Sequence, residues 1–410
     1  MDAFQIDQIN GPPPPQNALI VEAQANFALN LVREVSKGGR SFIVSPFSVA
    51  IALSMVYAGA REKTGKEIGK LLANGAPDSE VHKYFGDLLE AIKNGGRNDY
   101  ILDVANKMYM REGFKVMDAF KEQIEQYYGG QFEEADFSDS AGTAKKINQF
   151  VEEATHQKIR GPLVLVNAVY FKGNWAERFN AKYTKKKTFF VDQQNSKELE
   201  MMHKTADFIY FEDGQLQLLG MPYKGGEVFM FVLLPKDRFG LAKLLANLDG
   251  KRLLKLTKKR FKMKVQVVLP KFKLESTLQL EKSLANMGMP TAFSDSATFD
   301  GIAGGDSLKI SDVMQKAFIE INEQGTEATA ATGIRLVNEE GTVAAAVTII
   351  GPVLCSACSE LAPPKFVANR PFAAFLVNYG QIVLFSYCRR RQKKKKRDKA
   401  SKKGRLLTDE

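Results

Sequence analysis

The sequence predicts an α+β fold in a single domain, and three observations support this prediction. Apolar residues recur at helical spacing through the first 155 residues. Runs of β-branched and aromatic residues, typical of strands, dominate the second half of the chain. No linker rich in Gly, Ser or Pro separates the halves, so helices and strands are expected to share one core. The composition, 44% hydrophobic and 26% charged in 410 residues, excludes a disordered or collagen-like chain.

The helices are predicted from apolar periodicity and capping residues. They follow a polar stub, residues 1–16, whose four prolines make it stiff and extended. Ser45 followed by Pro46 is a helix-start signal for the second helix. The predicted helices are 20–35, 48–59, 63–72, 80–92, 117–128 and 141–155.

The strands are predicted from residue types that fit a pleated, half-buried surface. The predicted strands are 163–171, 188–191, 228–234, 264–269, 317–321, 372–377 and 382–387. Because most helices precede most strands, the two kinds of element are expected to be segregated along the chain.

The net charge of +11 belongs to the C-terminal tail. Residues 389–405 contain twelve Lys or Arg and one acidic residue, Asp398, and the rest of the chain is formally neutral, with 46 basic and 46 acidic residues. Runs this basic act as nuclear-import signals or phosphate-binding arms, or are solvated extensions. A nucleic-acid partner is therefore predicted only through this tail, 389–410.

The cysteines and the N-terminus predict a cytoplasmic protein, with nuclear import through 389–405 as an alternative. Cys355, Cys358 and Cys388 are too few for a disulfide framework, and the first residues lack the basic-then-apolar pattern of a secretory signal. Cys355 and Cys358 form a C-x-x-C, which we interpret as two reduced loop thiols because no second Cys or His pair lies nearby to complete a zinc site.

Two further classes of protein are not favoured by the sequence. Nineteen uncharged residues, 341–359, are long enough to span a membrane, but their Gly, Ser, Thr and Pro make them only weakly apolar. The three histidines are scattered, and no nucleophile elbow, phosphate loop or H-E-x-x-H motif occurs. We predict no membrane partner, no enzymatic activity, no cofactor and no metal.

A series of ordered motifs resembles the serpin superfamily over roughly residues 20–388. The motifs are IVSPFS (43–48), ANKMY (105–109), DF (136–137), IN (147–148), LVLVNAVYFKGNW (163–175), MPYK (221–224), LLP (233–235), LPKF (269–272), MGM (287–289), KAFIE (316–320) and NRPF (369–372). The resemblance implies a monomeric serpin domain over 17–388, with three β-sheets, eight or nine helices and an exposed reactive-centre loop at about 325–365.

The resemblance also implies a function. A target serine protease, or a cysteine protease, cleaves the loop, and the loop then joins a sheet as a new strand that carries the trapped protease. The protein would be a suicide substrate whose uncut form is metastable.

The hinge that precedes such a loop occurs twice in this chain. Residues 337–348 repeat residues 321–332 at an offset of sixteen. A strand that inserts into a packed sheet sends alternate side chains into the core, so these must be small or apolar. Both copies meet this requirement: Glu339, Glu340 and Gly341 precede Thr342, Ala344, Ala346 and Thr348, and Gly325 precedes Thr326, Ala328, Ala330 and Thr332.

Spacing favours the second copy as the working hinge. Counting about fifteen residues forward from Gly341 gives Cys355, and counting about eleven back from Pro371 gives Glu360. Pro352 argues against this copy, because proline cannot donate a ladder hydrogen bond inside a central strand. The predicted reactive-bond region is Cys355, Ser356, Ala357, Cys358, Ser359, Glu360 and Leu361.

The resemblance assigns Ser45, Ser48, Asn167 and Gln315 to the family's shutter, a polar cluster beneath the insertion gap. Gln315 stands where that cluster usually has a histidine. A second departure is a missing segment before Leu163, where only residues 160–162 connect the preceding helix to the strand. The doubled hinge and this short connection favour an alternative, a non-inhibitory serpin that acts as a binding or chaperone-like protein.

Overall fold

The fold is described from a computed structural model of the 410-residue chain. The structure describes residues 17–95, 99–111, 115–129, 131–135, 139, 142, 165–259, 261–304, 308–310, 313–328, 362–378 and 382–388. The stub, most of the reactive-centre loop and the basic tail lie outside the described residues.

The described residues form eight α-helices, in agreement with the α+β prediction. They are α1 (Ala18–Ser36), α2 (Pro46–Tyr57), α3 (Glu62–Ala73), α4 (Asp78–Gly95), α5 (Asp118–Tyr128), α6 (Leu241–Ala246), α7 (Gly250–Thr257) and α8 (Glu281–Met287). The first five confirm predicted helices, and Ser45 is the N-cap of α2, where its hydroxyl accepts the Ser48 N–H. The predicted helix 141–155 lies outside the described residues except for Gly142. The last three helices have only six to eight residues, too few to show a clear helical period.

The strands are numbered in chain order. They are β1 (Phe42–Val44), β2 (Tyr100–Arg111), β3 (Gln131–Ala135), β4 (Leu165–Asn174), β5 (Lys185–Phe190), β6 (Ser196–Glu212), β7 (Leu216–Pro222), β8 (Val228–Pro235), β9 (Lys262–Pro270), β10 (Phe272–Gln279), β11 (Met314–Ile321), β12 (Gly325–Ala328), β13 (Lys365–Val367), β14 (Ala373–Asn378) and β15 (Ile382–Cys388). All seven predicted strands are present, with shifted ends. Strands such as β6 escaped prediction because charged residues interrupt their apolar runs.

The described strands form two hydrogen-bonded sheets rather than the three that we predicted. One sheet has six strands in the order β10-β11-β12-β4-β2-β3. The other has nine, in the order β1-β15-β14-β8-β7-β6-β9-β13 with β5 also paired to β6. The count differs because β6, with 17 residues, is long enough to pair with β5, β9 and β7 in succession and so joins two sheet portions.

Helix α2 lies at the centre of the core, where it contacts β4 of the six-stranded sheet and β15 of the nine-stranded sheet. Eleven of its twelve residues are buried, as expected for a helix that is apolar on all sides. Helix α2 therefore packs against the six-stranded sheet through β4. In the described part of the chain, none of the helices has the combination of length and apolar character that crossing a membrane requires.

A buried histidine links α4 to α5 and α2. His82 is 3% exposed, and its Nδ1 lies 2.6 Å from the Tyr128 hydroxyl oxygen, which also approaches the Ser54 carbonyl oxygen at 3.2 Å. Burial lowers the pKa of His82 to about 4, although the nearby Asp78 carboxylate acts in the opposite direction. The imidazole is therefore neutral at neutral pH.

We expect this histidine to make the fold acid-sensitive. Between pH 6.5 and pH 4 the unfolded chain binds a proton at residue 82 that the folded chain does not, so the free energy of unfolding falls by roughly 3 kcal/mol as pH drops through this window. Urea unfolding of His82→Gln at pH 7 and pH 4.5 should show a smaller loss than the parent. His203→Gln removes a half-buried histidine of β6 whose pKa burial also lowers, and it should reduce the loss by less than His82→Gln does. Equal pH dependence in His82→Gln and the parent would contradict the assignment.

Candidate functional site

The candidate site is a gap in the six-stranded sheet, between β11 and β4. The short strand β12 occupies one end of this gap and pairs antiparallel with both neighbours, through Thr326 opposite Ile321 on β11 and opposite Gly173 on β4. Within the described residues, no register pair joins β11 to β4 beyond β12. Residues 165–170 and 314–319 thus present strand edges to the gap, where a longer strand could pair.

The residues of β12 belong to the first copy of the hinge. A tight turn joins β12 to β11, in which the Asn322 side-chain oxygen accepts the N–H groups of Gln324 and Gly325 at 2.9 and 3.1 Å. This Asx turn and the Asn322 N–H bond to the Gly325 carbonyl determine the register of the hairpin. The described residues of the first copy therefore form a strand directly after the turn that ends β11.

An aromatic cluster holds the first hinge residues in place. The Tyr223 hydroxyl donates to the Thr326 hydroxyl oxygen at 2.6 Å, and Thr326 is only 2% exposed. The Trp175 ring stacks on Tyr223 with ring centroids 4.5 Å apart, and its indole N–H donates to the Asn322 carbonyl at 2.9 Å. Burial raises the pKa of Tyr223, so its hydroxyl keeps the proton that it donates. The cluster therefore contacts both the turn and the strand of the hinge.

The carboxylate of Glu323 anchors the outer side of the same turn. It accepts the Thr184 hydroxyl at 2.8 Å and lies 3.1 Å from the Lys271 ammonium nitrogen. Burial raises the pKa of Glu323, but hydrogen bonds from its own backbone N–H, from Thr184 and from Lys271 outweigh burial, and the net pKa lies below its ordinary value. The turn is thus fixed by a charged group that stays ionised at neutral pH.

The first hinge requires glycine at position 325 because β12 approaches β4 closely. A Cβ atom at Gly325 would lie 2.0 Å from the Gly173 carbonyl oxygen and 2.8 Å from the Asn174 Cα. Both contacts are with backbone atoms that cannot rotate away. Any larger residue must displace one strand from the other.

The predicted shutter residues lie at the other end of the gap. Ser45, Ser48 and Gln315 are buried, and the Gln315 side-chain amide forms two hydrogen bonds with Ser45, accepting its N–H at 2.8 Å and donating to its carbonyl at 3.1 Å. Gln315 thereby joins β11 to the N-terminus of α2. Asn167 lies on β4 opposite Asn106 of β2. The structure thus brings α2, β11 and β4 together at this end of the gap. None of the side chains of Ser45, Ser48 and Gln315 is titratable.

The remaining predicted site residues lie mostly outside the described part of the chain. This applies to the second hinge copy, Glu339 to Thr348, to the reactive-bond region, Cys355 to Leu361, and to Ala330 and Thr332 of the first copy. The sequence motifs by themselves predicted no role for Trp175, Tyr223 or Glu323. Trp175, the only tryptophan of the chain, and the MPYK motif that contains Tyr223 were signals that could have identified this cluster.

The two sheets that contact α2, with the short strand β12 between β11 and β4, define the class of fold that the motifs predicted. The family profile described as Serpin (serine protease inhibitor) matches residues 22–386. The chain therefore belongs to the serpin family, as its motifs predicted.

Relatives and a solved structure agree with this assignment. The chain is 35% identical to Iris of Ixodes ricinus, over 88% of this chain and 96% of Iris. It is 33% identical to Antichymotrypsin-2 of Bombyx mori, over 88% of this chain and 95% of that protein. The structure of cleaved Serpin 42Da superposes with a TM-score of 0.78 at 26% identity, over 91% of this chain and 98% of that chain.

We expect Gly325→Ala to displace β12 from the gap, because the new methyl group would clash with the β4 backbone. The displacement should expose Trp175, whose fluorescence would shift to longer wavelength and become more sensitive to acrylamide quenching. The strain should also lower stability by about 1–3 kcal/mol. Gly341→Ala makes the same change in the second copy and is the control. A Gly325→Ala protein with the fluorescence of the parent would contradict the role of Gly325.

Proposed function

We propose that the protein inhibits serine proteases, and cysteine proteases as a second class, by loop cleavage and strand insertion. The observation that carries this proposal is β12, whose hinge residues pair with both β11 and β4 at one end of the gap, while the described residues add no further strand between them. An inserted loop would extend β12 along β11 and β4 and supply hydrogen-bond partners to both edges. The similarity to a relative named Antichymotrypsin-2 supports the target class. The protein acts as a monomer and as a suicide substrate, without an enzymatic activity of its own.

The function is tested by incubation of the full chain with a panel of serine and cysteine proteases. We expect a complex with at least one protease that survives SDS, and a cleavage site within 355–361. The cleaved protein should have a higher melting temperature than the uncut protein, because the inserted strand pairs edges that were open. Complete cleavage without a complex and without a change in melting temperature would contradict the proposal.

We further propose that the first hinge copy inserts, although spacing favours the second. The first copy follows β11 after a turn of three residues, and its Thr326 is already bonded to Tyr223. The second copy lies sixteen residues further along the chain, so it could occupy the same position only if the first copy left the gap. That exchange would break the Tyr223 bond and both ladders of β12.

A pair of arginine substitutions distinguishes the two copies. Thr326→Arg should abolish trapping, because this position is already buried beside Tyr223 and an inserted strand would have to keep an unpaired charge there, at a cost of several kcal/mol. Thr342→Arg should retain more trapping than Thr326→Arg. Gln324→Arg places the same charge in the exposed turn and is the control. The reverse ranking in an SDS-gel assay would show that the second copy inserts.

The doubled hinge is expected to weaken inhibition through slack in the inserted loop. From Gly325 to Glu360 the chain runs 35 residues, about twenty more than the family spacing requires, or on the order of 65 Å of extended tether. A protease on such a tether would not be pulled against the body and distorted, so it would hydrolyse the ester and leave. This slack favours the alternative function, a non-inhibitory serpin whose loop is cut without trapping.

Deletion of residues 325–340 tests the effect of slack. The deletion joins Gln324 directly to Gly341 and restores one hinge of the family's length. We expect the fraction of encounters that end in a stable complex to rise several-fold, measured as the stoichiometry of inhibition. A deletion variant that traps no better than the parent would indicate that the short connection 160–162, rather than slack, limits inhibition.

The cytoplasmic or nuclear localisation through 389–405 stays a prediction.

A further inference from the structure

The surface where α7 leads into β9 concentrates positive charge. Residues 251–264 include eight Lys or Arg and no acidic residue, although the chain outside residues 389–405 is formally neutral. We define the α7–β9 surface as Lys255, Lys258, Lys259, Phe261 and Lys262. Three of its lysines, Lys255, Lys258 and Lys262, are exposed. Positive charge is therefore more concentrated on this surface than on the rest of the folded body.

Among the described residues, no ion pair is found for these three lysines, and two acidic groups of the adjoining β6–β7 turn pair with other cations. The Asp213 carboxylate pairs with the Arg252 guanidinium at 3.0 Å, and the Glu212 carboxylate pairs with the Lys236 ammonium at 2.6 Å. Asp207 lies opposite Lys264 in the pairing of β6 with β9. An acidic residue therefore borders the α7–β9 surface on this side. The positive charge of Lys255, Lys258 and Lys262 is therefore available to a partner.

An aromatic ring lies within this charged surface. Phe261 is 73% exposed, more than any other large hydrophobic residue in the described ranges. A single exposed apolar residue needs no explanation by itself. Here the ring stands between Lys258 and Lys262, while the Lys259 ammonium lies 4.0 Å from the centroid of the Phe211 ring on the end of β6.

We propose that the α7–β9 surface binds single-stranded nucleic acid. Proteins that bind single strands combine cations that follow the phosphates with aromatic rings on which bases stack. In this chain Lys255, Lys258 and Lys262 contact successive phosphates, and one base stacks on Phe261. A double helix is a poorer fit because its bases are already stacked on each other.

The surface is less suited to an anionic membrane. Interfacial binding depends on a sizeable apolar area that is buried among the acyl chains. The α7–β9 surface offers one exposed ring, and its other exposed residues are lysines. The proposal does not depend on protease inhibition, since this surface lies apart from β11, β12 and β4 in both sequence and sheet.

The experiment is a photocrosslinking measurement on the full chain, because the basic tail alone is expected to bind nucleic acid. The probe is a twelve-nucleotide oligouridylate that contains 4-thiouridine, and the crosslinked peptides are identified by mass spectrometry. We expect crosslinks at Phe261 in addition to those in the tail, 389–410. Phe261→Leu keeps an apolar side chain but removes the ring, and should lower the crosslink yield of this region by about tenfold.

A charge series tests the phosphate contacts. The triple variant Lys255→Gln, Lys258→Gln, Lys262→Gln should lower the yield at Phe261 by at least as much, and raising the salt concentration should do the same. The matched control removes three exposed lysines elsewhere and should leave this yield unchanged: Lys66→Gln, Lys70→Gln, Lys282→Gln.

Three results would overturn the proposal. Crosslinks confined to 389–410 would show that the tail alone binds the probe. An unchanged yield at residue 261 in Phe261→Leu would show that the ring does not stack on a base. Binding of the full chain to vesicles of phosphatidylcholine and phosphatidylserine that is lost in Phe261→Ala, without crosslinks at Phe261, would assign the surface to a membrane instead.

Discussion

The facing backbone edges of β11 and β4, which β12 joins at one end, are the constraint on which the rest of this structure depends. Backbone N–H and C=O groups in a protein interior need hydrogen-bond partners, and in a sheet a neighbouring strand supplies them. Here the described part of β12 provides partners for only four residues of β4 and two of β11. Within the described residues, β12 is the strand that lies between β11 and β4 and pairs with both. On the proposed mechanism, cleavage of the loop would release the chain that extends β12.

Both ends of this gap are held by contacts to other parts of the molecule. At the end where β12 begins, Trp175 follows β4 and Tyr223 follows β7, so their stacked rings join the six-stranded sheet to the nine-stranded sheet. At the other end, Gln315 joins β11 to α2 through the backbone of Ser45. Separation of β11 from β4 must therefore strain contacts with both sheets and the central helix. Strand insertion, as proposed, would therefore depend on contacts throughout the folded body as well as on the loop.

The duplicated hinge shows how position decides between two similar segments. Both copies carry small residues at alternate positions, and alternation alone makes them equivalent. Only Gly325 follows β11 closely enough to form a hairpin with it, and only its missing side chain allows the approach to Gly173 that the ladder requires. The two copies are equivalent in residue pattern, but they differ in their distance along the chain from β11. On the proposal that the first copy inserts, the second copy adds length to the loop.

The sequence by itself determined the fold class, the family and the main helices, because helical periodicity, capping at Ser45 and contiguous motifs are local properties of the chain. It also identified Gln315 as a departure from the family's shutter. Only the tertiary structure decided that Gln315 bonds the backbone of Ser45, that Tyr223 reaches Thr326, and that Phe261 stands exposed among lysines. These contacts join residues as much as 270 positions apart. Local patterns cannot specify such contacts, because strand pairing and side-chain packing depend on which elements the completed fold brings together.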